Sequence, residues 1–173
     1  MGQYYYPIVI DASGKIVSWM CPHNYNNGSK LTEHSYMKNN FVNTFEYGLS
    51  PHGPHHKSRV VWAGDYADPE PGQENLHRQC DEYNRIIPDA KTQQFRFIVN
   101  HSKKLFVDKE KVPGFGKQFA VHPLPLLTAE GNGRGGGDFQ ENPLIGSWAR
   151  DIISVEMDAP QFTELLFDIV LNE

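Results

Sequence analysis

The sequence predicts an α+β protein: a mainly antiparallel sheet built from two diverged hairpin-plus-strand repeats, with one or two helices supplied by the first repeat. Three echoes carry that prediction. Ile8-Val9-Ile10-Asp11-Ala12-Ser13-Gly14-Lys15-Ile16-Val17 and Ile98-Val99-Asn100-His101-Ser102-Lys103-Lys104-Leu105-Phe106-Val107 each run apolar, polar turn, apolar. His34 and His122 follow them in the same order, and Trp62-Ala63-Gly64-Asp65 is answered by Trp148-Ala149-Arg150-Asp151. Only three tryptophans occur in 173 residues, so two in one short pattern argue for a unit of roughly 70 to 85 residues written twice. Halves of that size bury too little apolar surface to stand alone, which predicts one fused domain. Repeat 1 covers about residues 3–70, a linker with a short helix 71–91, repeat 2 about 93–158, and a C-terminal element 160–173.

Taken in order, Tyr4 to Ile10 is aromatic and β-branched and suits a strand; Asp11-Ala12-Ser13-Gly14 turns it, and Lys15 to Met20 returns. Cys21 to Gly28 reads as a loop. Leu31, Met37, Phe41, Phe45 and Leu49 recur at helical spacing behind Ser29 and Glu33, predicting one helix over 30–49 or two broken at Asn39-Asn40. Ser50 to Lys57, with two prolines, a glycine and three histidines, is a surface loop, and Arg59 to Ala63 is the next strand. A short helix is expected from Asn75 to Tyr83, and a second hairpin from Phe95 to Val107. Pro123 and Pro125 argue against a helix over Phe119 to Thr128, so an extended segment is expected there. Gly131 to Asp138 is a flexible loop, Gly146 to Met157 a long strand, and Thr163 to Leu171 fits helix or strand equally.

Composition narrows the classes of function. A net charge of −5 argues against a nucleic acid as direct ligand, because phosphate neutralisation needs a basic face. Two cysteines are too few for a disulfide framework, and neither stands in a Cys-x-x-Cys pair. No leader-type N-terminus and no window approaching the ~20 apolar residues of a membrane span is present, so a cytoplasmic protein with no membrane contact is expected.

The stretches that carry chemistry are few. The glycine run lacks the following helix and the Lys-Ser/Thr ending of a phosphate loop, and reads as a connection whose tip, Arg134, can reach an anionic partner. His52, His55 and His56 have ligand chemistry without ligand spacing, and Asp65, Asp68, Glu70 and Glu74 do not follow the calcium-loop pattern; no metal and no cofactor is expected. The two Trp-Ala-x-Asp segments fit either a structural role, with the indole in the core and the carboxylate on a turn, or a site in which Trp stacks and Asp accepts hydrogen bonds. The candidate ligand or partner residues are therefore Trp62, Asp65, Trp148, Asp151, Arg134, His34 and His122. Should catalysis exist, Asp65 with His34 or Asp151 with His122 is the acid/base pair to consider. No Gly-x-Ser-x-Gly or His-Glu-x-x-His signature is present, and no catalytic residue is assigned.

The Asn100-His101-Ser102-Lys103-Lys104 hairpin, the Gly-rich segment and Gly146-Ser147-Trp148-Ala149-Arg150-Asp151 resemble a group of uncharacterised small proteins of bacterial and phage genomes. That group carries an Asn-His-Thr-Lys type hairpin and a Trp-Ala-Gly-Asp strand. Here the Asn-His pair becomes Ile10-Asp11 in the first copy, and the motif's glycine becomes Arg150 in the second. The resemblance implies mobile or phage-borne genes and no mechanism. The expectation is a non-enzymatic protein-interaction module, phage- or mobile-element-associated, acting on a protein partner such as a host defence effector. The alternative is a small-molecule, nucleotide-like binding protein or hydrolase using the Trp-Ala-x-Asp strands.

Overall fold

The computed structural model describes residues 3–131 and 142–171. Among these, eight strands form one sheet: β1 (Tyr5–Ile10), β2 (Ile16–Trp19), β3 (Ser58–Gly64), β4 (Phe97–Asn100), β5 (Leu105–Asp108), β6 (Ala129–Glu130), β7 (Ile152–Glu156) and β8 (Thr163–Glu164). Their spatial order is β2-β1-β3-β7-β4-β5-β8, with β6 alongside β3. The fold is α+β, and the sheet is antiparallel except where the two-residue strands β6 and β8 join β3 and β5 in parallel.

Each hairpin takes a third strand on its first: β3 pairs with β1, β7 pairs with β4, and β3 and β7 meet antiparallel between them. The two hairpin-plus-strand units thus lie side by side with the same connectivity. Their registers show which echoes coincide. Ile8 faces Val61 and Ile98 faces Val155, so the hairpins correspond as their sequences do. Pro7 faces Trp62, however, while Phe97 faces Glu156. Glu156, and not Trp148, therefore stands where Trp62 does.

Trp148 is not on a strand at all. It lies in the turn that leads into β7, so the long strand expected from Gly146 is shortened to Ile152–Glu156. Gly146 opens that turn with φ +77 and carries no side chain where a Cβ would come within 2.6 Å of Ala129 O. A larger residue would clash with backbone and sit in a left-handed conformation.

Strand alternation gives the sheet two different faces. Tyr5, Val9, Val60, Trp62, Ile98, Val107, Ile153 and Val155 all point into one continuous core that spans both halves of the chain. On the opposite face each unit is covered by the segment that follows its third strand. Leu76 and its neighbours pack on Ile8, Ile10, Trp19, Val61 and Ala63, and Phe162 packs on Phe97, Val99 and Phe106.

Of the four α-helices among the described residues, three lie on the main core side and the short one that carries Leu76 lies on the other. α1 (Leu31–His34) and α2 (Asn40–Gly48) realise the broken-helix alternative, with Asn39 Oδ1 accepting from Val42 N at 3.1 Å to cap α2. α3 shrinks to Leu76–Gln79, capped by Asn75.

The segment around Pro123 overturns the expectation of an extended chain. It is a helix, α4 (Pro123–Leu127), with its prolines in the first turn. The first amides of a helix have no carbonyl to bond, so the missing proline N–H groups cost nothing there. The one nearby amide that needs a partner, Leu124 N, is capped by His122 Nδ1 at 3.2 Å.

α2 is buried nearly all round: Phe41, Val42 and Phe45, but also Asn43, Thr44 and Glu46. The sheet lies under it and residues 86–95 cross above it as a strap. Lys91 N donates to Thr44 Oγ1 at 2.9 Å, Gln94 Nε2 to Met37 O at 2.7 Å, and Tyr25 Oη to Pro88 O.

Candidate functional site

The two histidines matched by sequence are both sealed in the interior and committed to bonds that serve the fold. His34, at the end of α1, has Nδ1 at 2.9 Å from Gly28 O and accepts from Trp62 Nε1 at 2.9 Å. Those partners fix a neutral ring with its proton on Nδ1. Burial pushes its pKa from 6.5 down to about 4, outweighing the Gly28 carbonyl and the Glu33 carboxylate, which act the other way. Phe41 and Phe45 stand edge-on to the Trp62 indole and complete the cage.

His122 belongs to a different cluster, one that sequence reasoning missed. Its Nε2 lies 3.2 Å from Glu46 Oε1, and Lys109 Nζ binds the same oxygen. All three side chains are at most 2% exposed. Burial alone would raise the Glu46 pKa, but the Lys109 ammonium and His122 outweigh it and hold the carboxyl below its usual range. Burial and the adjacent Lys109 push His122 down, leaving its ring neutral at physiological pH. Because Nδ1 accepts from Leu124 N, the His122 proton sits on Nε2, toward the carboxylate. Glu46 Oε2 and His122 Nε2 both lack a well-aligned hydrogen-bond partner among the described residues, so the His122–Glu46 contact is one of proximity at 3.2 Å. From the sequence, Glu46 was one acid on an amphipathic-looking helix, and nothing local marked it as interior.

Neither acid/base pair considered from sequence is formed. Asp65 ties down the start of β1: its Oδ1 accepts from Tyr4 N at 3.0 Å, and its own N–H bonds Tyr4 O at 3.0 Å. Asp151 is held by Asn100 Nδ2 at 2.8 Å and by Lys103 Nζ, while Ser102 Oγ accepts from Ile152 N at 2.9 Å. The Asn-His-x-Lys hairpin and the Trp-Ala-x-Asp segment therefore meet, as a clamp that fixes the turn into β7. Arg150, where the resemblance has glycine, adopts φ 68 and is anchored by Glu130 and Glu70 at 2.6 and 2.7 Å. Trp62 and Trp148 are 0% and 1% exposed, so no ligand can stack on either indole in this structure. Arg134 lies outside the described residues.

The histidine-rich loop spreads its rings apart. His52 stacks beside Tyr47, His55 Nε2 lies 3.1 Å from Ser18 Oγ, and His56 Nε2 lies 2.7 Å from Glu156 Oε2. Among the described residues no group of three or more His, Cys, Asp or Glu side chains is placed to hold a metal ion.

Accessible space with a distinct character occurs beside α2. A cavity of about 220 Å³, open on one side, lies between the last turn of α2, the β1–β2 hairpin, the histidine loop and the strap. Val9, Met20, Phe45 and Leu49 form its floor, and Ile86, Pro88, Pro54 and Lys91 its rim. Gly53 brings the histidine loop against the helix end, where a Cβ would lie 2.4 Å from the Tyr47 and Gly48 carbonyl oxygens. Its lining is almost wholly apolar, unlike the wider polar groove between the β1–β2 turn and Arg150.

Comparison with known proteins finds no matching family model, no matching curated protein and no matching solved structure.

The buried cluster generates two expectations. Lys109→Met leaves the Glu46 carboxylate uncompensated and should lower stability by about 3–5 kcal/mol in urea denaturation, and adding Glu46→Leu should recover most of that loss. An unchanged midpoint for Lys109→Met would place the carboxylate in contact with water. Acid should also destabilise the fold in a defined window. Below about pH 6.5 the unfolded chain protonates His34 while the folded chain, with a pKa of about 4, does not. Stability is therefore full above that pH and falls by up to roughly 3 kcal/mol as pH drops toward 4. His122, shifted the same way, adds to the fall. The check is the urea midpoint as a function of pH for the wild type and His34→Gln, whose slope over this window should be smaller.

Proposed function

We propose that this protein acts by binding, holding a small apolar guest in the cavity beside α2. The cavity is the observation that carries the reading. Small-molecule sites are concave and lined mostly by apolar side chains, and here about 220 Å³ lies open against Val9, Phe45 and Leu49. A dry cavity of about 150 Å³ takes up benzene, so a space of this size suits a single ring or a short chain. A nucleotide-like guest has less to support it, because the indoles that would stack its base are buried.

A second reading rests on the same rim. Ile87 is 55% exposed on the strap, between the Ile86 and Pro88 that wall the cavity. An apolar side chain of a partner protein, inserted into the cavity and ringed by these residues, would use it as an anchor pocket. That is the form in which a phage- or mobile-element-borne interaction module, directed at a host defence effector, would use this surface.

Gly48 offers a test that leaves the core intact. Its φ is not left-handed, and an added Cβ meets only His55 Cδ2, at 3.9 Å, so a longer side chain projects into the cavity. Gly48→Leu should leave stability within about 1 kcal/mol of the wild type, because Gly48 is the last residue of α2 and not in its interior. Toluene should raise the Tm of the wild type and leave that of Gly48→Leu unchanged. Equal shifts in both proteins, or none in the wild type, would contradict the reading.

A further inference from the structure

We infer that the guest of this cavity carries an anionic end: it is a small aryl or short-chain carboxylate, with its apolar body against Phe45 and Leu49 and its carboxylate on Lys91. The inference rests on the cavity being a binding site and adds the chemistry of what it takes.

Charge at the rim is one-sided. The lining includes Lys91 and His55 but no aspartate or glutamate. Lys91 is the lysine of that lining, and it forms no ion pair with the described residues. Its backbone N–H is bonded to Thr44 Oγ1 at 2.9 Å, which fixes the strap to α2 and roots the side chain at the cavity edge. The ammonium rests 4.9 Å from the centroid of the Tyr47 ring. A cation lying on an aromatic face beside an apolar opening is partly shielded from water, where a carboxylate is attracted more strongly than in open solvent. His55 cannot replace it as a charge, since burial lowers its pKa and its Nε2 is engaged with Ser18 Oγ.

Size limits the body. A space of about 220 Å³ holds a benzene-sized ring with one or two further carbons, and the carboxylate must stay at the mouth because the floor offers it no donor.

Titration calorimetry with phenylacetate and 2-phenylethanol, which share a ring and differ in their polar end, tests this on the wild type, Lys91→Met and Gly48→Leu. Phenylacetate should bind the wild type roughly tenfold more tightly than 2-phenylethanol. Lys91→Met should abolish that preference by weakening phenylacetate alone, and Gly48→Leu should bind neither. Equal affinities in the wild type, or a preference that survives Lys91→Met, would overturn the anionic end while leaving an apolar site standing. If neither probe binds the wild type, or both bind Gly48→Leu undiminished, the cavity is not a binding site and the inference falls with it.

Discussion

A carboxylate buried with no exposure governs much of this structure. Glu46 sits in α2 at the end of a stretch buried from Phe41 onward, and a lone charge in such a place would cost several kcal/mol. The opposing charge comes from the other half of the chain, from Lys109 just after β5, with His122 at the cap of α4. Neither half can bury its core face without presenting these groups to the other. That requirement fixes α2 over the joint between the two units and brings residues 86–95 across it as a strap. The last turn of the helix then overhangs the β1–β2 hairpin without filling the space beneath.

The parts of this arrangement that depend on local pattern are legible in the sequence. Both hairpins follow from β-branched runs about a polar turn, and α2 follows from Phe41, Phe45 and Leu49 with the break at Asn39-Asn40 before it. What failed is instructive because each failure has a physical cause. Pro123 and Pro125 look like helix breakers, yet a first turn has no use for their missing amides. The repeated Trp-Ala-x-Asp spelling suggested equivalent strands, but strand pairing places Glu156 where Trp62 would be matched, and Trp148 sits in a turn.

The candidate site was less legible still. His34, His122, Trp62 and Trp148 stand out in the sequence, and what distinguishes them in the structure is burial. A sequence shows that a histidine is present and not that its partners are a carbonyl, an indole and a buried glutamate from distant elements. Asp65 and Asp151 likewise spend their oxygens on backbone and hairpin groups that close the ends of strands. Nothing in the linear pattern marks the cavity either. It is made by four separated segments, and the cation at its rim lies in a stretch that reads as a plain linker.

The matched histidines are buried parts of the framework, bonded to a carbonyl, an indole and a helix amide, and their ring nitrogens report it directly. Nitrogen-15 NMR of the histidine side chains between about pH 8 and pH 5.5, where a free imidazole takes up its proton, addresses that claim most closely. Both rings should remain neutral while the protein is folded, with the proton on Nδ1 of His34 and on Nε2 of His122. Titration of either ring near the ordinary histidine value in the folded protein would contradict the account, because it would put that group in reach of solvent and available for chemistry.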